Sequence, residues 1–223
     1  MKREVLEEDL RRLYQGTDMV KADCGGCKGC SDCCSGMGES VVLDPWDMYW
    51  LCKGLNSSFQ GLLNKYAELN VVDGLVLPNL KMTGEEEQCG FLNEEGRCSV
   101  HGFRPGICRL FPLGRYYENG EFRYFLQSRE CRKENRTKVK ISKWMGIPDL
   151  KKYEEFVLQW HYFLEEVTEL LEKQKDDRLS KDLGTYLLNT FYGEPYDLRA
   201  DFYGQFEERL TRTKKLVQVL GRN

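Results

Sequence analysis

The sequence predicts an α+β fold, in which a small irregular cysteine-rich metal module with short β-hairpins packs against a helical C-terminal half. Three observations predict it. All ten cysteines of the 223-residue chain fall between Cys24 and Cys131. Asn119-Gly120, the favoured two-residue hairpin turn, lies between two stretches rich in Tyr and Phe. From Pro148 onward, apolar residues recur every three or four positions, the period of an amphipathic helix. The expected division is a metal-binding module with an N-terminal helix over 1–145 and a helical extension over 146–223, packed as one compact unit.

The elements follow in order. Val5, Leu6, Leu10 and Leu13 predict a short helix over 2–15. Residues 21–40 are rich in Cys, Gly and Ser and read as a loop whose shape something other than packing must hold. Asp44-Pro45 starts a helix that runs to about Lys53, with Gly54 as its stop. A second short helix over Ser58–Glu68 is capped by Ser57 or Ser58. Residues 71–80 alternate and read as extended, and 91–100 as two short strands around residues 93–96. Gly114–Leu126 is the clearest hairpin, and 138–143 reads as a further short strand or edge. A long helix opens at Pro148-Asp149 and runs to about Lys175, followed by helices over 179–192 and 197–219.

Composition excludes several classes. Lys and Arg total 33 against 36 Asp and Glu, a net charge of −3, so the basic surplus of a nucleic-acid binder is missing. No apolar run approaches the ~20 residues of a membrane-spanning helix. The N-terminus is charged and lacks the apolar stretch of an export signal, so the cytoplasm is the expected location. The expected partner is a protein or a small molecule, with neither nucleic acid nor membrane.

In a reducing compartment, cysteines at short regular spacing bind metal more often than they form disulfides. The first group is Cys24-x2-Cys27-x2-Cys30-x2-Cys33-Cys34. Cys-x2-Cys suits a metal because a tight turn points two sulfurs at one ion, and the interleaved glycines let the backbone turn. Cys24, Cys27, Cys30 and Cys34 also satisfy the spacing of bacterial ferredoxins, although Ser35 replaces the proline that usually follows. The second group is Cys89, Cys98, Cys108 and Cys131, each beside a turn. Nine candidate ligands exceed the four that one zinc or one [4Fe–4S] cluster takes, so there are two sites or some cysteines are not ligands. All-cysteine ligation suits both metals, and the scarcity of histidine favours iron–sulfur over zinc. Cys52, among apolar neighbours on a helix, reads as core. Arg104, Arg109 and Arg115 could offset the negative charge of a thiolate site, bind a substrate anion, or form surface ion pairs. His101 has zinc-ligand spacing to Cys98 but also reads as a loop histidine.

Cys27-x2-Cys30-x2-Cys33-Cys34, Cys89-Gly90-Phe91-Leu92, Gly96-Arg97-Cys98-Ser99-Val100-His101, Arg104-Pro105 and Cys108-Arg109-Leu110-Phe111-Pro112 occur in this order. Over residues 24–131 the chain resembles the YkgJ-type CxxCxxCC cysteine-cluster family, a zinc- or iron-chelating domain related to the flagellin lysine N-methylase FliB. The resemblance implies that these cysteines are metal ligands and makes an iron–sulfur cluster a serious option. Cys24 extends the motif towards the spacing of the methylase. An alternative function is therefore a protein-lysine methyltransferase using S-adenosylmethionine. Another is a redox sensor working through exposed thiolates or a labile cluster.

Overall fold

The computed structural model describes residues 6–25 and 30–222. Its elements, in chain order, are α1 (Glu7–Leu10), β1 (Met19–Asp23), a 3-10 turn (Asp32–Cys34), α2 (Pro45–Leu55), α3 (Phe59–Lys65), the strands β2 (Ala67–Val72), β3 (Leu75–Leu80), β4 (Met82–Thr83) and β5 (Gln88–Cys89), a second 3-10 turn (His101–Phe103), α4 (Gly106–Leu110), β6 (Leu113–Glu118), β7 (Glu121–Leu126), β8 (Thr137–Lys140), α5 (Ile141–Met145), α6 (Leu150–Gln174), α7 (Asp177–Leu188) and α8 (Phe202–Leu220). The strands form four two-stranded antiparallel ladders, and the last third is helical, as expected of an α+β chain.

Local chemistry explains most of these elements. Asp44 caps α2 by accepting the Asp47 N–H at 2.8 Å, and Asp47 returns the bond to the Asp44 N–H at 3.2 Å. Ser58 caps α3 through the Gly61 N–H. Asn119 and Gly120 both have positive φ, 53° and 79°, the geometry that lets β6 and β7 close with two residues. Asp149 caps α6 through the Lys152 N–H, and Tyr153, Phe156, Val157, Trp160, Phe163, Val167 and Leu171 form its buried stripe.

Several expectations need correction. Among the described residues the expected N-terminal helix is the short α1, with residues 1–5 outside them, and Tyr14 instead bridges Tyr124 of β7. Gly54 does not stop α2, which ends at Asn56 in the left-handed conformation. Gly54 lies inside the helix, where a Cβ would fall on the Phe103 ring. The extended stretch at 71–80 belongs to a longer hairpin, β2–β3, turned at Asp73 and Gly74 with positive φ at both. Residues 91–100 form no strand pair, only a Leu92–Cys98 bridge. Residues 19–23, at the start of the expected loop, form β1, which pairs with β8 and buries Val20 and Ala22. The last helix begins at Phe202, after an irregular stretch.

One cluster of buried apolar residues runs from Val20 to Val217. At the junction of the cysteine-bearing region and the helical half, Trp46 of α2 packs on Tyr153 of α6 with centroids 4.8 Å apart. The Tyr49 hydroxyl donates to the Ala200 carbonyl at 2.9 Å, and the Tyr192 hydroxyl to that of Leu43 at 3.0 Å. A five-residue π-helical turn (Asn189–Gly193) extends α7. The buried Arg209 guanidinium donates to the Thr190, Glu194 and Pro195 carbonyls at 2.7–2.9 Å, satisfying acceptors that this turn and the chain beyond it leave open.

Candidate metal centre

Short backbone links gather the two cysteine groups. Ser35 forms an isolated antiparallel bridge with Gln88, and the Gly36 N–H donates to the Glu87 carbonyl at 3.0 Å. This brings the vicinal Cys33 and Cys34, held in the first 3-10 turn, alongside Cys89 at the end of β5. A tight loop follows. The Leu92 N–H donates to the Cys89 carbonyl at 2.8 Å, the Ser99 N–H to the Phe91 carbonyl at 2.8 Å, and the Arg97 N–H to Asn93 Oδ1 at 2.7 Å. Leu92 thereby faces Cys98. Cys108 sits on α4, whose first N–H, from Gly106, donates to the buried Asp47 carboxylate at 2.6 Å.

As a result, Cys33, Cys34, Cys89, Cys98 and Cys108 line one cavity of about 70 Å3, with Cys30 also in its wall. Apolar Val41, Leu80, Phe91 and Val100 supply part of the remainder; Cys89 is buried, and the other thiols are half-buried. The thiols act on one another. The Cys33–Cys34 side-chain hydrogen bond, burial, and the charges of Cys33, Cys98 and Cys89 push the Cys34 thiol far up. Cys108 is pushed up by burial first, then by the charges of Asp47, Cys33, Cys89 and Cys98. Burial likewise raises Cys89 and Cys98, although Arg104 and Arg97 favour the Cys98 thiolate. Five thiols that oppose one another's ionisation in a half-buried space are a site that a cation would relieve.

The donor set therefore fits a thiolate-bound metal in type and number. A buried polar atom supports the fit. Arg104 lines this cavity, and its Nε–H is buried without an acceptor in the protein. Such a donor complements sulfur in a bound group. Among the described residues, no three His, Cys, Asp or Glu side chains stand at single-ion distances.

The other sequence candidates separate. Cys24 and Cys131 line a second, smaller cavity with Cys30, and Cys27 lies outside the described residues. Cys52 has no thiol neighbour among the causes of its shift; burial alone raises it to about 11, as suits a core position. The three arginines do not act together. Arg109 binds backbone, donating to the Gly102 carbonyl at 2.6 Å and the Arg104 carbonyl at 3.1 Å. Arg115 donates to the Tyr153 hydroxyl at 3.0 Å. Only Arg104 reaches the thiol cavity, where it also meets His101 Nε2. Sequence reasoning missed Arg97, whose adjacency to Cys98 was the available signal, and Asp47, whose capping role concealed its bond to Gly106.

The family model described as "Putative zinc- or iron-chelating domain" and written CxxCxxCC matches residues 26–141, more than half of the chain. The chain belongs to the CxxCxxCC family. The match contains eight of the nine cysteines that line the two cavities or carry their spacing, and leaves Cys24 outside. No curated protein and no solved structure gives a significant match.

Proposed function

We propose that the chain holds an iron–sulfur cluster of the [4Fe–4S] type in the larger cavity. Its ligands are Cys89, Cys98, Cys108 and one of the vicinal Cys33 and Cys34. The observation that carries this reading is the gathering of these five thiols around about 70 Å3, more space than a single dehydrated ion fills. A cluster of this kind supplies one-electron redox chemistry or Lewis acidity when bound. The protein's own part is to bind, orient and shield. Cys108 is fixed through Asp47 and Gly106, Cys98 through the loop closed at Asn93, and the vicinal pair through Ser35 and Gln88. Arg104 and Arg97 offset the negative charge of four thiolates. The cytoplasm is the matching compartment, since it keeps such thiols reduced.

The test is substitution under anaerobic purification. Cys89→Ser, Cys98→Ser and Cys108→Ser should each lose iron while keeping the helical circular dichroism of the wild type. Full iron retention in any two of them would overturn the ligand set.

A further inference from the structure

An apolar cleft backs onto the larger of the two thiol cavities. Its volume is about 360 Å3, a size that takes small molecules and several times the space among the thiols. Cys33, Val41, Cys108 and Phe111 stand in the walls of both. Separate stretches of chain build the rest. Met37 and Ser40 follow the vicinal cysteines, Ile107 comes from α4, Leu113 opens β6, and Gln127 directly follows β7. Val41 and Leu113 are buried, whereas Ile107 is 38% exposed and forms part of the solvent side.

The chemistry of the walls selects the occupant. Apart from the two thiols, no ionisable side chain lines the cleft among the described residues. A charged molecule would lose water there and gain no counter-charge. Two polar side chains are present, and the backbone holds both. The Ser40 hydroxyl donates to the Met37 carbonyl at 2.6 Å, and Gln127 Nε2 donates to the Leu113 carbonyl at 3.0 Å. The Gln127 N–H also donates to the Pro112 carbonyl at 3.0 Å. With the Ser40 proton committed, what Ser40 Oγ and Gln127 Oε1 offer a ligand is acceptor oxygen. Fixed acceptors in an apolar wall orient a molecule that brings an N–H or O–H donor.

We propose that this cleft is a substrate site for an uncharged, largely apolar small molecule carrying one such donor. A molecule held there lies against the wall that Cys33 and Cys108 share with the thiol cavity. Its role as substrate rests on the cluster reading; its binding does not.

Indole is the probe, being neutral, largely apolar and equipped with one N–H donor. 1-Methylindole keeps the shape without the donor, and indole-3-acetate adds a charge. Equilibrium dialysis against the anaerobically purified full-length protein gives the affinities. The electron paramagnetic resonance spectrum of the reduced protein, with and without indole, reports on the cluster. Indole should bind at least about tenfold more tightly than either analogue and should shift that spectrum. Ile107→Glu should weaken indole binding by about tenfold or more at unchanged iron content. Gln127→Leu should shrink the preference over 1-methylindole to below about threefold. No binding of indole, equal binding of the charged analogue, or full donor-selective binding in both folded variants would each overturn the proposal. If Ile107→Glu fails to fold, Gln127→Leu decides alone. Binding that leaves the spectrum of an iron-loaded chain unchanged would overturn the substrate role. Donor-selective binding that follows Gln127 in a chain lacking iron would leave the binding site standing and overturn the substrate role together with the cluster.

Discussion

The Asp47 carboxylate accepts the Gly106 N–H at 2.6 Å, joining the helix that enters the core to the short helix that carries Cys108. Both partners are buried, and Asp47 Oδ2 is already engaged by the Asp44 N–H. Asp47→Ala should therefore cost about 1–3 kcal/mol, because it strands a buried donor. It should also weaken metal retention, since Cys108 loses its anchor. Asp47→Asn, which keeps an acceptor oxygen for Gly106, should lose less on both counts. Denaturant unfolding and metal content, measured together, check this; equal losses in the two variants would contradict it.

A second close approach lies at Gly54. On helix propensity alone, Gly54→Ala should stabilise α2 by up to about 1 kcal/mol. The Phe103 ring occupies the position the new Cβ would take, so the variant should instead lose about 1–3 kcal/mol. The sign of the change in urea midpoint decides between the two.

The chain should also show a pH dependence centred on Asp44. Burial pushes its carboxyl up to about 6, against the opposing pull of the Asp47 N–H and the Arg115 charge. A carboxyl raised in the folded state stabilises the fold below its unfolded pKa of about 4, and that contribution is lost as pH rises through the folded value. Asn at this position can still cap α2. Asp44→Asn should therefore gain stability relative to the wild type as pH climbs from about 4 through 6. Denaturation of both proteins across this range measures the difference; a constant or falling difference would contradict the assignment.

Core and ligand cysteines should part cleanly. Cys52→Ser should keep the full metal content while costing about 1–3 kcal/mol for a hydroxyl placed in a half-buried apolar setting. Cys98→Ser should lose iron. Equal metal loss in the two folded variants would show that the partition is wrong.

What the sequence made legible follows from where its signals are local. Asn119-Gly120, Asp44-Pro45 and the apolar stripe of α6 each act within a few residues, so their elements were readable. The four-residue repeat of Phe202, Phe206 and Leu210 likewise marked α8, although not its first residue. The β1–β8 ladder was not readable as a pair, because Met19–Asp23 and Thr137–Lys140 meet only in three dimensions and β1 carries just Val20 and Ala22 as inward residues. Gly54 misled because a helix stop and a tight side-chain contact both select glycine. At the site, spacing marked the cysteines as ligand candidates. Their division between two cavities depends on the Ser35–Gln88 bridge and the β1–β8 pairing, neither of which leaves a local pattern.

The central claim is that the larger cavity binds a cluster. Iron and acid-labile sulfide, measured on the anaerobically purified full chain beside its absorption spectrum, test it most directly. The account predicts about four iron and four sulfide per chain, with broad sulfur-to-iron absorption that Cys98→Ser abolishes. A folded chain that contains zinc but neither iron nor sulfide, and that cannot be reconstituted with them, would contradict it.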